Sequence, residues 1–120
     1  MQYAILIYSD EKAETNMSKE EMDAWMGEYN AYTDAMQKSG AYKGGEALHA
    51  TASATTVRVR DGKKLTTHGP FAETKEQLGG FYLVDAANLD DAIEWAAKCP
   101  GARVGSIEVR PIMDFSQAQS

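Results

Sequence analysis

Two stretches of this chain are apolar on both of their alternating sides, and that restricts the fold before composition is considered. In Tyr3-Ala4-Ile5-Leu6-Ile7-Tyr8, residues Tyr3, Ile5 and Ile7 face one way and Ala4, Leu6 and Tyr8 the other; Phe81-Tyr82-Leu83-Val84 repeats the pattern. Side chains alternate across a strand, so a strand apolar on both parities needs cover on both faces. Both stretches therefore read as central strands. The stretch from Gly105 to Ile112 differs, because Ile107 and Val109 point one way, Glu108 and Arg110 point the other, and Pro111 cannot donate to a ladder. It reads as an edge strand.

Helices are signalled between these strands. Ser18 and Glu21 form a capping box, with Met17 and Met22 placed as a hydrophobic staple around it. Met22, Trp25, Met26, Tyr29, Tyr32 and Met36 then recur at helical spacing until Ser39-Gly40 ends the helix, and this stripe reads as core packing. Asn88 caps a second helix through Leu89, Ala92, Ile93, Ala96 and Ala97, which Pro100-Gly101 stops. Ser9 to Asn16 reads as a polar linker and Glu46 to His49 as a short strand. Val57, Val59 and Leu65 flank Asp61-Gly62, a hairpin signal. A three-residue loop with Gly62 left-handed is expected there, because it separates Val57, Val59 and Leu65 from Arg58, Arg60 and Lys64.

Strand, helix, strand, hairpin, strand, helix, strand is the order of an α+β, ferredoxin-like fold, a split βαβ with an added hairpin. Two helices cover one face of such a sheet only. The other face is expected to be covered by a second copy, giving a homodimer of the dimeric α+β barrel type, since ~500 Å² of apolar surface buried per subunit contributes on the order of 10 kcal/mol before association costs. One domain is expected over residues 1–115, with a flexible tail at 116–120.

Charge and cysteine content limit the partners. The balance of 12 basic against 18 acidic residues leaves a net charge of −6, which opposes binding to nucleic acid or an anionic membrane. The single cysteine, Cys99, permits no internal disulfide and reads as an inert buried thiol. The longest apolar run is far below the ~20 residues of a membrane span. A cytoplasmic protein is the expectation, with neither metal nor cofactor.

The chemistry is concentrated in His68-Gly69-Pro70-Phe71-Ala72-Glu73-Thr74-Lys75-Glu76-Gln77-Leu78-Gly79-Gly80-Phe81, where a proline turn holds four ionisable side chains beside a double glycine. From Gly69 onward this stretch resembles the signature of the DGPF (DGPFAETKE) family within the YCII-related superfamily. The resemblance extends to Ala54-Thr55-Thr56-Val57-Arg58, Asp61-Gly62, Asp91-Ala92, Glu94-Trp95-Ala96 and Val109-Arg110-Pro111. It implies the dimeric α+β barrel and names no reaction. Two further implications are a cleft with a His-Asp pair in YCII relatives, which points to an enzyme, and genes beside those of extracytoplasmic-function sigma factors. His68 stands where the signature opens with Asp, and an imidazole there retains the capacity to act as a base.

Candidate catalytic residues are His68 and Glu73, with Lys75, Arg58 and His49 as ligand contacts. Glu73, Lys75 and Glu76 are spaced for mutual pairing on a turn of helix, and Arg58, Arg60 and Arg110 are suited to clamp an anion. Each also reads as a solvated surface charge. The expected function is binding, with chemical transformation left open, of a small polar or anionic molecule in a cleft under the 68–81 loop. The alternative is a non-catalytic interaction or regulatory module, linked by the resemblance to a sigma-factor system.

Overall fold

The computed structural model describes residues 1–116, so the expected tail lies, from residue 117 on, outside the described residues. The arrangement is mixed α+β, with nine main elements: β1 (Gln2–Ser9), α1 (Glu11–Glu14), α2 (Lys19–Ser39), β2 (Tyr42–Ala47), β3 (Thr55–Arg60), β4 (Lys63–His68), β5 (Gln77–Asp85), α3 (Leu89–Lys98) and β6 (Ser106–Pro111). A four-stranded sheet has the order β2-β5-β1-β6, all its pairings antiparallel, and β3-β4 forms a separate two-stranded sheet. The two strands that are apolar on both parities, β1 and β5, are the central pair. β6 is an edge, as its Pro111 and alternating charge require.

The core sits on one face of this sheet. Tyr3, Ile5 and Ile7 of β1 and Val84 of β5 pack with Tyr32 and Met36 of α2, Ala92 of α3 and Cys99. The capping box forms as expected: Ser18 Oγ accepts from the Glu21 amide at 3.1 Å, and Glu21 Oε1 accepts from the Ser18 amide at 3.2 Å. Gly40, at φ 83°, closes α2 in the left-handed conformation that a side chain disfavours. On the opposite face Ala4, Leu6 and Tyr8 lie beside Leu83, Phe81 and Leu78 in cross-strand register, and all six are half-buried.

Four local expectations are corrected. Residues 9–16 are not all linker, because Asp10 caps a short helix, accepting from the Lys12 amide at 2.9 Å. β2 runs over Tyr42–Ala47, earlier than Glu46 to His49, with an irregularity at Gly44, φ 156°, that shifts its register against β5. The β3-β4 turn has two residues, not three. Arg60 pairs with Lys63 and both Asp61 (φ 52°) and Gly62 (φ 73°) are left-handed, the backbone that suits a two-residue hairpin turn. Leu65 thus pairs with Arg58, away from the valines. Parity misled because thirteen of the fourteen hairpin residues are exposed and Thr56 only half-buried, so no buried face selects the register. Finally, residues 69–76 are an irregular loop, and Glu73, Lys75 and Glu76 make no mutual ion pair on a helical turn.

Ile5 is fully buried between β5 and β6. Ile5→Ala is expected to lower unfolding free energy by about 2–5 kcal/mol, checked by urea denaturation. A loss below about 1 kcal/mol would mean that the core is not centred there.

Candidate functional site

The length of α2 creates a cavity. Its 21 residues span about 31 Å at 1.5 Å each, longer than the six-residue β2, which spans about 20 Å. The C-terminal half buries Tyr32 and Met36 in the core. The N-terminal half stands over the sheet end, leaving Met22 and Met26 exposed and a cavity of about 490 Å³ beneath.

The floor of this cavity is low because of its glycines. A methyl group on Gly80 would lie 2.8 Å from the Glu46 carbonyl oxygen, and one on Gly45 would lie 2.7 Å from that of Phe81. Side chains are therefore excluded where β2 and β5 meet, and Gly45, Gly79 and Gly80 line the floor as bare backbone. Trp25, Met26, Tyr29 and Thr33 form the roof, with Tyr42 and Tyr82 as further walls. Ser9, Glu11 and Glu14 cluster at one end, and Glu46 and the exposed His49 also line the cavity.

The polar groups of the inner wall are already satisfied. Thr33 Oγ1 and the Tyr82 hydroxyl are 2.6 Å apart, and Cys99 Sγ donates to the Tyr29 hydroxyl at 3.6 Å. Ser9 Oγ donates to Glu14 Oε1, and Glu11 accepts from both the amide and the hydroxyl of Thr51 at 2.8 Å. Burial pushes the Tyr29, Tyr32 and Tyr82 phenols and the Cys99 thiol up from their ordinary values. Each is held in its neutral form, which suits packing against an apolar surface and not nucleophilic attack.

The expected site residues divide between two places. His49 lines the cavity. His68 ends β4, Arg58 lies mid-β3, and Glu73 and Lys75 belong to the 69–76 loop; all four are exposed and line no part of it. Arg110 pairs with Glu108 at 3.6 Å on β6, apart from Arg58 and Arg60 on the hairpin sheet. The motif stretch reaches the cavity only through Gly79, Gly80 and Phe81. Its loop is instead tied locally: Gly69 (φ 97°) donates to the Ala54 carbonyl at 2.7 Å, the Thr56 hydroxyl donates to the Gly69 carbonyl at 2.8 Å, and Ser106 Oγ donates to Glu76 Oε1 at 2.7 Å. Among the described residues no group of three or more His, Cys, Asp or Glu side chains is placed to hold a metal ion, and no helix is long and apolar enough to cross a membrane.

The profile of the YCII-related domain matches residues 1–116. The chain belongs to the YCII-related family. This YCII-related protein is also similar to an uncharacterized protein of Rhizobium meliloti (strain 1021), 41% identical over 114 residues that cover 93% of this chain and 92% of the relative. Sequence reasoning missed the aromatic and methionine lining of the YCII-related chain because the Met22 to Met36 stripe has the spacing of a core-facing helix. The available signal was its length, since a helix this long overhangs the six-residue strand β2.

The raised phenols and thiol fix the sign of an alkaline response. Unfolded, Cys99 releases its proton near pH 8.5 and the tyrosines near pH 10; folded, they hold it to higher pH, so their stabilisation is complete below those values and is lost as pH rises beyond them. The melting temperature is expected to stay level up to about pH 8 and to fall steadily above about pH 9. Native Cys99 should also resist a thiol reagent at pH 8 until denaturant is added, whereas rapid labelling of the native chain would place the thiol outside the core.

Proposed function

We propose that this protein is a binding domain for a small molecule with a flat, apolar body and one hydrogen-bond-donating or cationic end. The observation that carries this is the cavity itself: about 490 Å³, with Trp25, Tyr29, Tyr42 and Tyr82 around a glycine floor and carboxylates at one end. Ligand sites are typically concave and apolar, with few polar groups fixing orientation. Glu11 and Glu14 at that end disfavour an anion and favour a donor. The ligand class thus shifts from the polar or anionic molecule expected of the sequence. Binding has more support than catalysis, since the inner titratable groups are held neutral.

The setting we propose for this site is a homodimer of ferredoxin-like subunits of the DGPF branch, in the cytoplasm, where Cys99 stays a thiol. The strand order β2-β5-β1-β6 supports the ferredoxin-like reading, and the Gly69–Phe81 signature supports the branch. The half-buried face of Ala4, Leu6, Tyr8, Leu78, Phe81 and Leu83 supports pairing through the sheet. At 18 Å, the thin dimension of the molecule accommodates one helix layer on one sheet and no third layer over that face.

The neutral dye N-phenyl-1-naphthylamine probes the cavity. It is expected to bind with a dissociation constant of roughly 1–50 μM, with enhanced fluorescence. A methyl group on Gly79 meets nothing closer than 3.9 Å, so Gly79→Leu has room to enter the cavity without disturbing β5. This variant should weaken dye binding at least about tenfold while keeping its melting temperature. Unchanged dye affinity in Gly79→Leu would place the site elsewhere.

A further inference from the structure

Among the described residues, no other element packs closely on the β3-β4 hairpin. A two-stranded hairpin is marginal at best in water unless it packs on something. Here Val57, Val59 and Leu65 are 58%, 62% and 47% exposed, and Phe71 in the following loop is 79% exposed. Six residues per strand carry the tip about 20 Å from its base. The radius of gyration, 16.7 Å, accordingly exceeds the roughly 13–14 Å of a compact chain this long.

Charge indicates what the arm meets. Residues 55–68 carry Arg58, Arg60, Lys63 and Lys64 against Asp61 alone, so the net −6 of the chain conceals a basic arm on a more acidic body. The acid is concentrated in residues 10–28, with seven carboxylates against two lysines, and this is the segment that forms α1 and the N-terminal half of α2 around the cavity mouth. The same mouth exposes Met22, Met26 and Leu48. A surface that is both acidic and apolar complements an arm that is both basic and apolar. Exposed valines beside the arginines fit such a surface better than they fit a phosphate backbone.

We propose that in the homodimer each arm lies across the cavity mouth of the partner copy and closes it, an exchange that rests on the dimer and cavity of the preceding section. Val57 and Val59 meet the partner's apolar mouth, and Arg58, Arg60 and Lys63, which share the other face of the hairpin, meet its acidic segment. Arg58 and, at the base of the arm, His68, which do not line this cavity in their own subunit, then border a site completed by two copies.

Hydrogen exchange of amides 55–68, followed alongside sedimentation of the full chain, tests this. Exchange in the dimer is expected to be at least about a hundredfold slower than in the free arm peptide, with protection lost on dilution as the mass halves. Two charge-reversed chains locate the docking surface: Arg58→Glu, Arg60→Glu, Lys63→Glu in the arm, and Glu11→Lys, Glu14→Lys in the body. Each alone should lose arm protection at least about tenfold, and an equimolar mixture should regain it, which also shows that both chains fold. A dimer whose arm amides exchange as fast as the peptide overturns the exchange and leaves the dimer standing. A monomer at every concentration overturns both, while dye uptake in that monomer leaves the cavity standing. Arm protection gained only on adding duplex DNA also overturns the exchange.

Discussion

The antiparallel pairing of β1 with β5 is the constraint from which the other features follow. It places Ile5 beside Tyr82 and Tyr3 beside Val84 on the face that α2 and α3 cover, and Leu6 beside Phe81 on the face they do not. The same strand β5 must also approach β2, and there the backbones meet so closely that Gly45 and Gly80 admit no side chain. Close strand approach and an empty floor are one fact seen from two sides. A long amphipathic helix laid over that floor packs tightly where the sheet offers Ile5 and Val84. It leaves a cavity where the sheet offers glycine.

Much of the architecture was legible because burial on two faces leaves a two-sided pattern in sequence. Tyr3–Tyr8 and Phe81–Val84 could hardly be anything but central strands, and Ser18, Glu21, Gly40 and Asn88 carry capping chemistry that acts within a few residues. Local chemistry was less legible where two rules competed. At Asp61-Gly62, side-chain parity argued for a longer loop, but parity is informative only if a face is buried. Turn geometry decided instead, through two consecutive left-handed residues. Gly44-Gly45 reads locally as a strand breaker, whereas Gly45 is the condition for the pairing of β2 with β5.

The candidate site was the least legible part, since the cavity depends on where α2 overhangs β2 and its glycines, a coincidence of distant elements that no local pattern announces. Trp25, Tyr29 and Met26 have the same spacing as Tyr32 and Met36, yet the first group roofs a cavity and the second fills the core. Conversely, the stretch from His68 to Glu76 drew attention through its density of ionisable groups. In the single chain its visible work is to tie the hairpin base through Gly69, Ala54 and Thr56, and the loop to β6 through Ser106. Of the residues proposed from sequence, only His49 borders the cavity.

Cavity, open sheet face and projecting hairpin are all surfaces that the single chain leaves unfinished among its described residues, and the proposal of ligand binding within a dimer addresses all three together. The central claim is that the cavity under α2 is the ligand site, and the two tryptophans make it directly measurable. Trp25 roofs the cavity, whereas Trp95 lies against Tyr32 between α2 and α3. In a two-dimensional NMR titration with N-phenyl-1-naphthylamine, the account predicts that the Trp25 indole N–H signal shifts together with the amides of Gly79 and Gly80 while that of Trp95 stays in place. A shift of Trp95 with Trp25 unmoved would contradict it.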